Sequence, residues 1–188
     1  MKDESDFIKK LIDKKHQDKA FKHLLELYQE RLYWHIRKLV FTHDDADDVL
    51  QETFIRIYKS LPKFKQQSSL HTWMYKIAYN ESIRFLENNK KKCLVSIDDI
   101  SEQYLEDLLA DEYFEGDEIQ LKLHRILSKL SEKQRQIFQL KYYDELKFSE
   151  IETIMGINEN TIKTSYYAAV KMIKNNIETV DLFFKVQD

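Results

Sequence analysis

The sequence predicts an all-α protein in which an acidic linker joins two small helical domains. Only 2 Gly and 1 Pro occur among 188 residues, where an average chain of this length carries roughly 13 and 9. Turn-rich β proteins depend on these two residues, so the composition disfavours such a fold. Apolar residues recur instead at helical spacing. The linker is predicted from residues 96–120, where all ten charged side chains are acidic and repel one another.

The formal net charge of −3 hides basic segments on both sides of the acidic stretch. Residues 51–95 hold nine Lys or Arg against three Asp or Glu, and residues 121–180 hold ten against seven. This asymmetry indicates more about charged partners than the net charge does. The predicted boundaries are 1–95 for the first domain, 96–117 for the linker and 118–180 for the second domain.

Composition also limits the compartment and the cofactors. The single cysteine, Cys93, excludes an internal disulfide and a zinc site built on cysteine pairs. Residues 1–10 are charged and lack the apolar core of a signal peptide. No apolar run reaches the roughly 20 residues of a membrane span. We therefore expect a cytoplasmic protein without membrane insertion, cofactor or metal.

The first domain is predicted to contain four helices, near 3–15, 18–40, 44–62 and 69–88. The third has an acidic first turn, where the helix dipole favours anions, and stops at Pro62. The fourth is apolar on two sides, with Lys76, Asn80 and Arg84 in a polar strip between them. Such a helix packs on one side and contacts something on the other, or is fully buried.

The second domain is also predicted to contain four helices, near 118–129, 132–143, 149–155 and 159–177. Capping boxes are predicted for the second and third of these, from Ser131 with Gln134 and from Ser149 with Glu152. Gly156 supplies a helix stop, and Asn158 is a good N-cap for the last helix.

The last two predicted helices form a helix-turn-helix, since a short capped helix, a Gly turn and a second capped helix follow one another. A small core holding them together is predicted from Ile151, Ile154, Met155, Ile157 and Ile162. The second helix could then enter a DNA major groove. Its outward residues are Glu159, Asn160, Lys163, Thr164 and Tyr167. The alternative is an ordinary helical corner that never meets DNA, and a carboxylate near phosphate is unfavourable.

Three ordered segments, 47–58, 64–80 and 130–167, resemble the extracytoplasmic-function sigma factors of bacterial RNA polymerase. The first reads Asp-Asp-Val-Leu-Gln-Glu-Thr-Phe-Ile-Arg-Ile-Tyr, and the second contains Thr-Trp-Met-Tyr-Lys-Ile-Ala-Tyr-Asn. The third begins Leu-Ser-Glu-Lys-Gln-Arg-Gln-Ile-Phe and runs into the helix-turn-helix. The resemblance covers nearly the whole chain, and the three motifs in this order are specific together.

The resemblance implies that the third helix docks on the clamp helices of the polymerase β′ subunit. The implied core polymerase-binding residues are Asp48, Gln51, Glu52 and Ile55. Ile55 is an apolar residue on the polar side of its helix, which suits a partner surface. A lone exposed isoleucine on a solvated face is the alternative.

The resemblance also implies that the loop after Pro62 and the fourth helix hold open the promoter's minus-ten element. Melted bases are held by aromatic stacking, a basic groove and polar pockets. The implied minus-ten DNA-binding residues are Phe64, Lys65, Ser68, Ser69, Thr72, Trp73, Lys76, Asn80 and Arg84. Trp73 also lies on the apolar stripe, so core packing stays open as its alternative. Residues 90–92 are three lysines that either touch phosphate or form a solvated helix end.

The helix-turn-helix would read the minus-thirty-five element. The implied DNA-binding residues are Asn160, Lys163, Thr164, Tyr167 and Lys171. The chain departs from the family at Lys65 and Gln66, where the family has Arg-Gly, and the loop is expected to follow a different path without the glycine. The family's Arg positions in the last helix include Ser165, Ala168 and Val170 here. We therefore expect weak DNA binding by this domain alone, with reliance on polymerase or a recruiting partner.

The expected partners are core RNA polymerase, through its β′ clamp helices and β subunit, and promoter DNA, both duplex and melted. The resemblance also implies an anti-sigma factor or another recruiter. Competing hypotheses are a free-standing helix-turn-helix regulator and an adaptor that binds only proteins. An enzyme is disfavoured, because the six histidines form no metal-binding motif and no phosphate loop or nucleophile elbow occurs. His43 lies beside acidic residues that are better explained as helix N-terminal charge.

Overall fold

The computed structural model describes residues 2–40, 42–92, 123 and 126–176, and within these ranges all regular structure is helical. The chain divides into two compact helical units, which confirms the predicted fold class. The acidic linker and Cys93 lie outside the described residues. The helices are α1 Lys2–Ile12, α2 Gln17–Arg37, α3 His43–Ser60, α4 Leu70–Lys92, α5 Glu132–Tyr142, α6 Phe148–Met155 and α7 Glu159–Asn176. None of the described helices combines the length and apolarity needed to cross a membrane.

The first unit is built around α2, α3 and α4, which pack against one another, while α1 lies on α2. Its fully buried side chains come from all four helices, as the periodic apolar pattern predicts. They include Leu11, Leu24, Leu32, Ile36, Ile57, Leu61 and Met74. Each such side chain contributes roughly 1.5–3 kcal/mol through removal from water.

The ends of α3 follow from its flanking residues. Thr42 is the N-cap, and its Oγ1 accepts a hydrogen bond from the Asp45 N–H at 3.1 Å, so the helix begins at His43. Pro62 then forces the chain into a short 3₁₀ turn, Leu61–Lys63, because proline lacks the N–H that would continue the helix. The predicted stop at Pro62 is thus two residues beyond the observed end of α3.

The start of α4 is fixed by Ser69, whose Oγ accepts a hydrogen bond from the Thr72 N–H at 3.0 Å. The helix then runs to Lys92, four residues beyond its predicted end. Residues 90–92 therefore lie within the helix and do not follow it. By contrast, α1 and α2 each end three residues before their predicted ends.

In the second unit, α5 packs against α7, and Leu127, Ile137, Leu140, Ile162 and Ala169 are fully buried. The predicted capping box at the start of α5 is confirmed, since the Ser131 Oγ and the Gln134 side chain each accept from the other's backbone N–H. Of the helix predicted near 118–129, residues 123 and 126–128 are helical and residue 129 lies in a turn.

The capping box predicted from Ser149 with Glu152 is wrong. Helix α6 begins one residue earlier, at Phe148, and the Glu150 carboxylate accepts from the Lys147 N–H at 2.9 Å. Glu152 instead accepts from the Glu159 N–H at 3.3 Å, at the start of the next helix. Two carboxylates two residues apart can both reach a helix start, and tertiary packing decides which one does.

The turn of the helix-turn-helix matches its prediction. Gly156 ends α6 in the left-handed conformation, with a φ of +68°. Asn158 caps α7, because its Oδ1 accepts from the Asn160 N–H at 3.0 Å. Of the predicted core residues, Ile151, Ile154 and Ile162 are buried, whereas Met155 and Ile157 are only half-buried.

Candidate nucleic-acid and partner interfaces

The outward face of α3 carries the four residues predicted to bind a protein partner. Asp48, Gln51 and Glu52 are exposed, and Ile55 keeps 40% of its surface in solvent. Their spacing of i, i+3, i+4 and i+7 places all four on one side of the helix. The structure therefore brings this set together on one face, with the apolar Ile55 at the C-terminal end of a polar row.

A groove of about 370 Å³ separates this part of α3 from α4. Its lining on α3 includes Asp48, Gln51 and Glu52, and its lining on α4 includes Arg84 and Phe85. Arg84 was predicted to contact the minus-ten DNA. The structure places it beside the predicted partner-binding residues, so Arg84 projects from α4 and also lines the groove.

A buried carboxylate holds Arg84 there. Glu81 is only 5% exposed, and its two oxygens bind two guanidinium groups. Arg56 Nε on α3 lies 2.6 Å from Glu81 Oε1, and Arg84 Nη2 binds Glu81 Oε2. A buried charge needs such partners. Glu81 thereby ties α3 to α4, a role that the sequence analysis missed, although the i, i+3 spacing of Glu81 and Arg84 is a visible signal.

The loop before α4 rests on a buried aromatic pair. Phe64 is buried, and its ring lies on the ring of Trp73 with a centroid separation of 4.8 Å. Thr72 is also buried, with its Oγ1 2.8 Å from the Ser69 Oγ. Phe64 and Thr72 can act on DNA only through their neighbours, because neither side chain faces solvent. Trp73 is half-buried, so its aromatic surface is partly available.

Gln66 stands where the resembled family has glycine, and it adopts the glycine-like conformation. Its φ is +54°, in the left-handed region that L-residues adopt at a cost of roughly 1–2 kcal/mol. Glu145, in the turn between α5 and α6, has the same φ.

The remaining predicted minus-ten residues include the exposed side chains of Lys65, Ser69, Lys76 and Asn80, while Ser68 is half-buried. Lys76 and Asn80 are four residues apart on α4 and therefore neighbours on its surface. A cation beside an amide offers both phosphate neutralisation and hydrogen bonds to a base edge.

Helix α7 displays the row predicted for the minus-thirty-five element. Asn160, Thr164, Tyr167 and Lys171 are exposed, and Tyr167 has 60% of its surface in solvent. The Thr164 hydroxyl donates to the Asn160 carbonyl at 2.9 Å. This row can meet phosphates and base edges in a groove.

Lys163 in that row is held by an acidic residue of its own helix. Its Nζ lies 2.6 Å from Glu159 Oε1, one turn earlier. This hydrogen bond and the negative charge of Glu159 raise the pKa of Lys163 above its ordinary value. The ammonium group also lies 5.7 Å from the centre of the Phe148 ring.

Phe148 is an aromatic platform that the sequence analysis did not single out. Lys141 on α5 lies 5.5 Å from the ring centre, so lysines from two helices approach the same ring. The ring also meets Tyr166 edge-on at 5.6 Å. Burial raises the pKa of Tyr166, whose ring lies against Phe138 in the core. The platform therefore connects the exposed cations to the core of the unit.

These observations describe an all-helical arrangement in the described residues, with outward-facing polar rows on α3, α4 and α7, and comparisons with known proteins give its class. The sigma-70 region 2 family model matches residues 24–92, and the sigma-70 region 4 model matches residues 120–173. RNA polymerase sigma factor SigV of Bacillus subtilis (strain 168) is 32% identical over 143 residues, which cover 76% of this chain and 82% of SigV. The chain belongs to the extracytoplasmic-function sigma factors. As a sigma factor, it binds core RNA polymerase and directs promoter recognition, DNA opening and transcription initiation.

Further relatives and solved structures agree with this class. The factor SigW of Bacillus subtilis (strain 168) is 27% identical over 172 residues, covering 87% of this chain and 92% of SigW. The sigma factor RpoE of Bartonella quintana, solved with the anti-sigma factor NepR, has a TM-score of 0.66 at 20% identity and covers 86% of this chain and 98% of that one. CnrH, solved with the cytosolic domain of CnrY, has a TM-score of 0.64 at 16% identity, covering 92% and 95%. These two structures share the fold.

Proposed function

We propose that the two units divide the work of initiation between them. The first domain, residues 1–95, docks on the β′ clamp helices through Asp48, Gln51, Glu52 and Ile55, and it holds the melted minus-ten element along α4. The second, residues 118–180, reads the minus-thirty-five element with α7. The observation that carries the proposal is that each unit displays an outward row of side chains on one helix, α3 in the first and α7 in the second.

The minus-ten residues act in two groups. Lys65, Ser69, Lys76 and Asn80 face solvent and contact the strand directly, together with the open part of Trp73 and the half-buried Ser68. Phe64 and Thr72 are buried and position Trp73 and the start of α4. Unpairing DNA costs on the order of 1.4 kcal/mol per base step. Stacking and phosphate contacts to the exposed strand offset that cost, and no reaction is catalysed by the chain itself.

Arg84 contributes to both activities through its place in the α3–α4 groove. The guanidinium is half-exposed and faces the predicted polymerase-binding residues while it remains on the DNA-facing helix. Polymerase docking and promoter contact therefore share one side chain. We expect variants of Arg84 to weaken core polymerase binding as well as promoter opening.

Run-off transcription tests the proposed function. Purified core polymerase is supplied with a pool of promoter fragments, with and without the protein, and the transcripts are sequenced. Protein-dependent transcripts with a fixed start, lost in Asn80→Ala and in Ile55→Glu, are the expected result. Silence despite co-purification with polymerase would indicate a missing recruiter. Silence without co-purification would contradict the proposal and favour a free-standing regulator.

A recruiter or an anti-sigma factor is the second partner class that we propose. Lys163 is already engaged by Glu159, and Ser165, Ala168 and Val170 occupy positions where the family has arginine. Each missing phosphate contact lowers the affinity for DNA, and it also makes that affinity less dependent on salt concentration. The relative of Bartonella quintana was solved with an anti-sigma factor. A salt titration of the full chain on promoter duplex without polymerase tests this point, since tight, sequence-specific binding would contradict it. The site of action is the cytoplasm, where polymerase and promoters meet.

A further inference from the structure

The ion pair between Glu159 and Lys163 is unexpected on a surface that faces DNA. The two side chains are 34% and 42% exposed, respectively, and they lie one turn apart at the start of α7. A carboxylate near phosphates is unfavourable, so its presence needs another explanation. Its hydrogen-bonding chemistry supplies one.

The first turn of α7 does not need Glu159 as a cap. The Glu159 N–H is bound by the Glu152 carboxylate at 3.3 Å, and the Asn160 N–H is bound by the Asn158 side chain at 3.0 Å. The Glu159 side chain instead points along the helix surface to Lys163. It therefore places an acceptor beside a donor on the groove-facing row.

An acceptor beside a donor is the complement of a C·G base pair in the major groove. Cytosine presents its N4 amino group there, and guanine presents the O6 and N7 acceptors. The N4 and O6 atoms are adjacent, because they hydrogen-bond to each other within the pair. We propose that Glu159 accepts from cytosine N4 while Lys163 donates to guanine, so that the pair selects one C·G position in the upstream promoter element. This inference rests on the proposed function of α7.

Two features prepare the pair for this role. Lys163 balances the negative charge of Glu159, which lowers the repulsion between the carboxylate and neighbouring phosphates. Phe148 lies beneath the Lys163 ammonium at 5.7 Å and limits the freedom of the long side chain before DNA arrives. Ordering a side chain before binding reduces the entropy that binding must offset.

The test uses the full chain with core polymerase and promoter fragments whose upstream element is randomised. Base preference at each upstream position is obtained from the sequenced transcripts of wild type, Glu159→Ala and Glu159→Gln. We expect wild type to favour C·G at one position by on the order of ten-fold. Glu159→Ala should lose this preference. Glu159→Gln should shift it toward A·T, because the glutamine amide matches adenine N6 and N7.

Two matched variants on the same motif act as controls. Glu152→Gln keeps an acceptor for the Glu159 N–H and should leave every base preference unchanged. Lys171→Met removes a cation two turns further along α7 and should lower transcription from all fragments alike.

The outcomes separate this inference from the proposed function. Base preferences in Glu159→Ala that match wild type at every position would overturn the inference and leave the ion pair as a stabiliser of the helix. If Glu159→Ala yields no transcripts, an unshifted preference in Glu159→Gln would overturn it equally. Silence of the wild-type protein on all fragments would instead contradict the proposed function.

Discussion

The two units build their nucleic-acid faces at different depths. In the first, Phe64 is buried beneath Trp73, and Glu81 is buried between two arginines from two helices. In the second, the half-buried Phe148 lies beneath two lysines, and Glu159 is one-third exposed beside a single lysine of its own helix. The first face is thus an extension of the core, whereas the second lies on the surface. Substitutions should therefore affect stability in the first unit and DNA selection in the second.

The largest contrast is expected between the two phenylalanines. Phe64→Ala removes a buried ring and should lower the free energy of unfolding of its unit by about 3 kcal/mol. Phe148→Ala removes a half-buried ring and should lower that of the second unit by only about 1–2 kcal/mol. Urea unfolding of the full chain, followed by near-ultraviolet circular dichroism, measures both. Equal losses would contradict the difference in depth.

Removal of the two acidic residues should show the same contrast in stability between the units. Glu81→Ala removes charged hydrogen bonds from two arginines and should lower the free energy of unfolding by about 2 kcal/mol. Glu159→Ala should produce a change in stability too small to resolve, since exposed i, i+4 pairs contribute little. Thermal unfolding compares the two variants, and Glu87→Ala on the exposed side of α4 is the control. A stable Glu81→Ala variant would show that the arginines are adequately solvated without the carboxylate.

Ile55 should affect binding and leave stability unchanged. Ile55→Ala is expected to weaken binding to core polymerase by about ten-fold, because the apolar contact of the row is lost. Leu27 is a matched control, since it is an exposed aliphatic residue on α2, at 51% exposure against 40% for Ile55. Fluorescence anisotropy of labelled protein with core polymerase gives both affinities. Equal weakening by Leu27→Ala would indicate that the docking face extends beyond α3.

Two of the three described residues with a left-handed φ allow a smaller and sharper test. Gly156→Ala should lower the free energy of unfolding by about 1 kcal/mol, although a Cβ there would meet no atom within 4 Å, because the φ of +68° disfavours it. Gln66→Gly should change the free energy of unfolding by less than about 0.5 kcal/mol. Glycine relieves the backbone strain at a φ of +54°, but it also gives the unfolded chain more conformational entropy, and the two effects offset each other. A larger loss from Gln66→Gly would show that the Gln66 side chain itself supports the loop.

The smallest expected effect is that of pH: the base preference in the upstream promoter element should not change with pH. The pKa of Lys163 is raised above its ordinary value of 10.5 by the hydrogen bond to Glu159. A raised pKa keeps the ammonium charged at all lower pH values, so its interaction is lost only above that value. Preferences measured between about pH 7 and pH 9 should coincide. A shift within this range would mean that another group controls selection.

The features that could be predicted from the sequence are those that depend on residues close to one another along the chain. The all-helical class, the two units, the cap at Ser131 and the turn at Gly156 follow from composition, periodicity and local hydrogen bonding. The cap of α6 could not be predicted, because Glu150 and Glu152 both lie near its start and Glu152 is engaged by the N–H of Glu159, seven residues away.

Arg84 shows the same limit within the candidate site. Helical spacing groups it with Lys76 and Asn80, and that grouping is correct along α4. Its position in the groove depends on Glu81 and on Arg56, which comes from another helix. Long-range packing of this kind leaves no periodic signal in the sequence. The roles of the individual site residues remain predictions that the variants above can test.

The length of α4 sets the distance between the proposed promoter contacts on that helix. The helix continues without interruption from Leu70 to Lys92. At 1.5 Å per residue, its last residue lies about 24 Å beyond Lys76 along the axis. Successive base pairs of intact B-form duplex rise by roughly 3.4 Å, so this length equals about seven steps of duplex DNA. In the proposed function, a contact near Lys76 and one at the end of the helix would therefore reach different nucleotides.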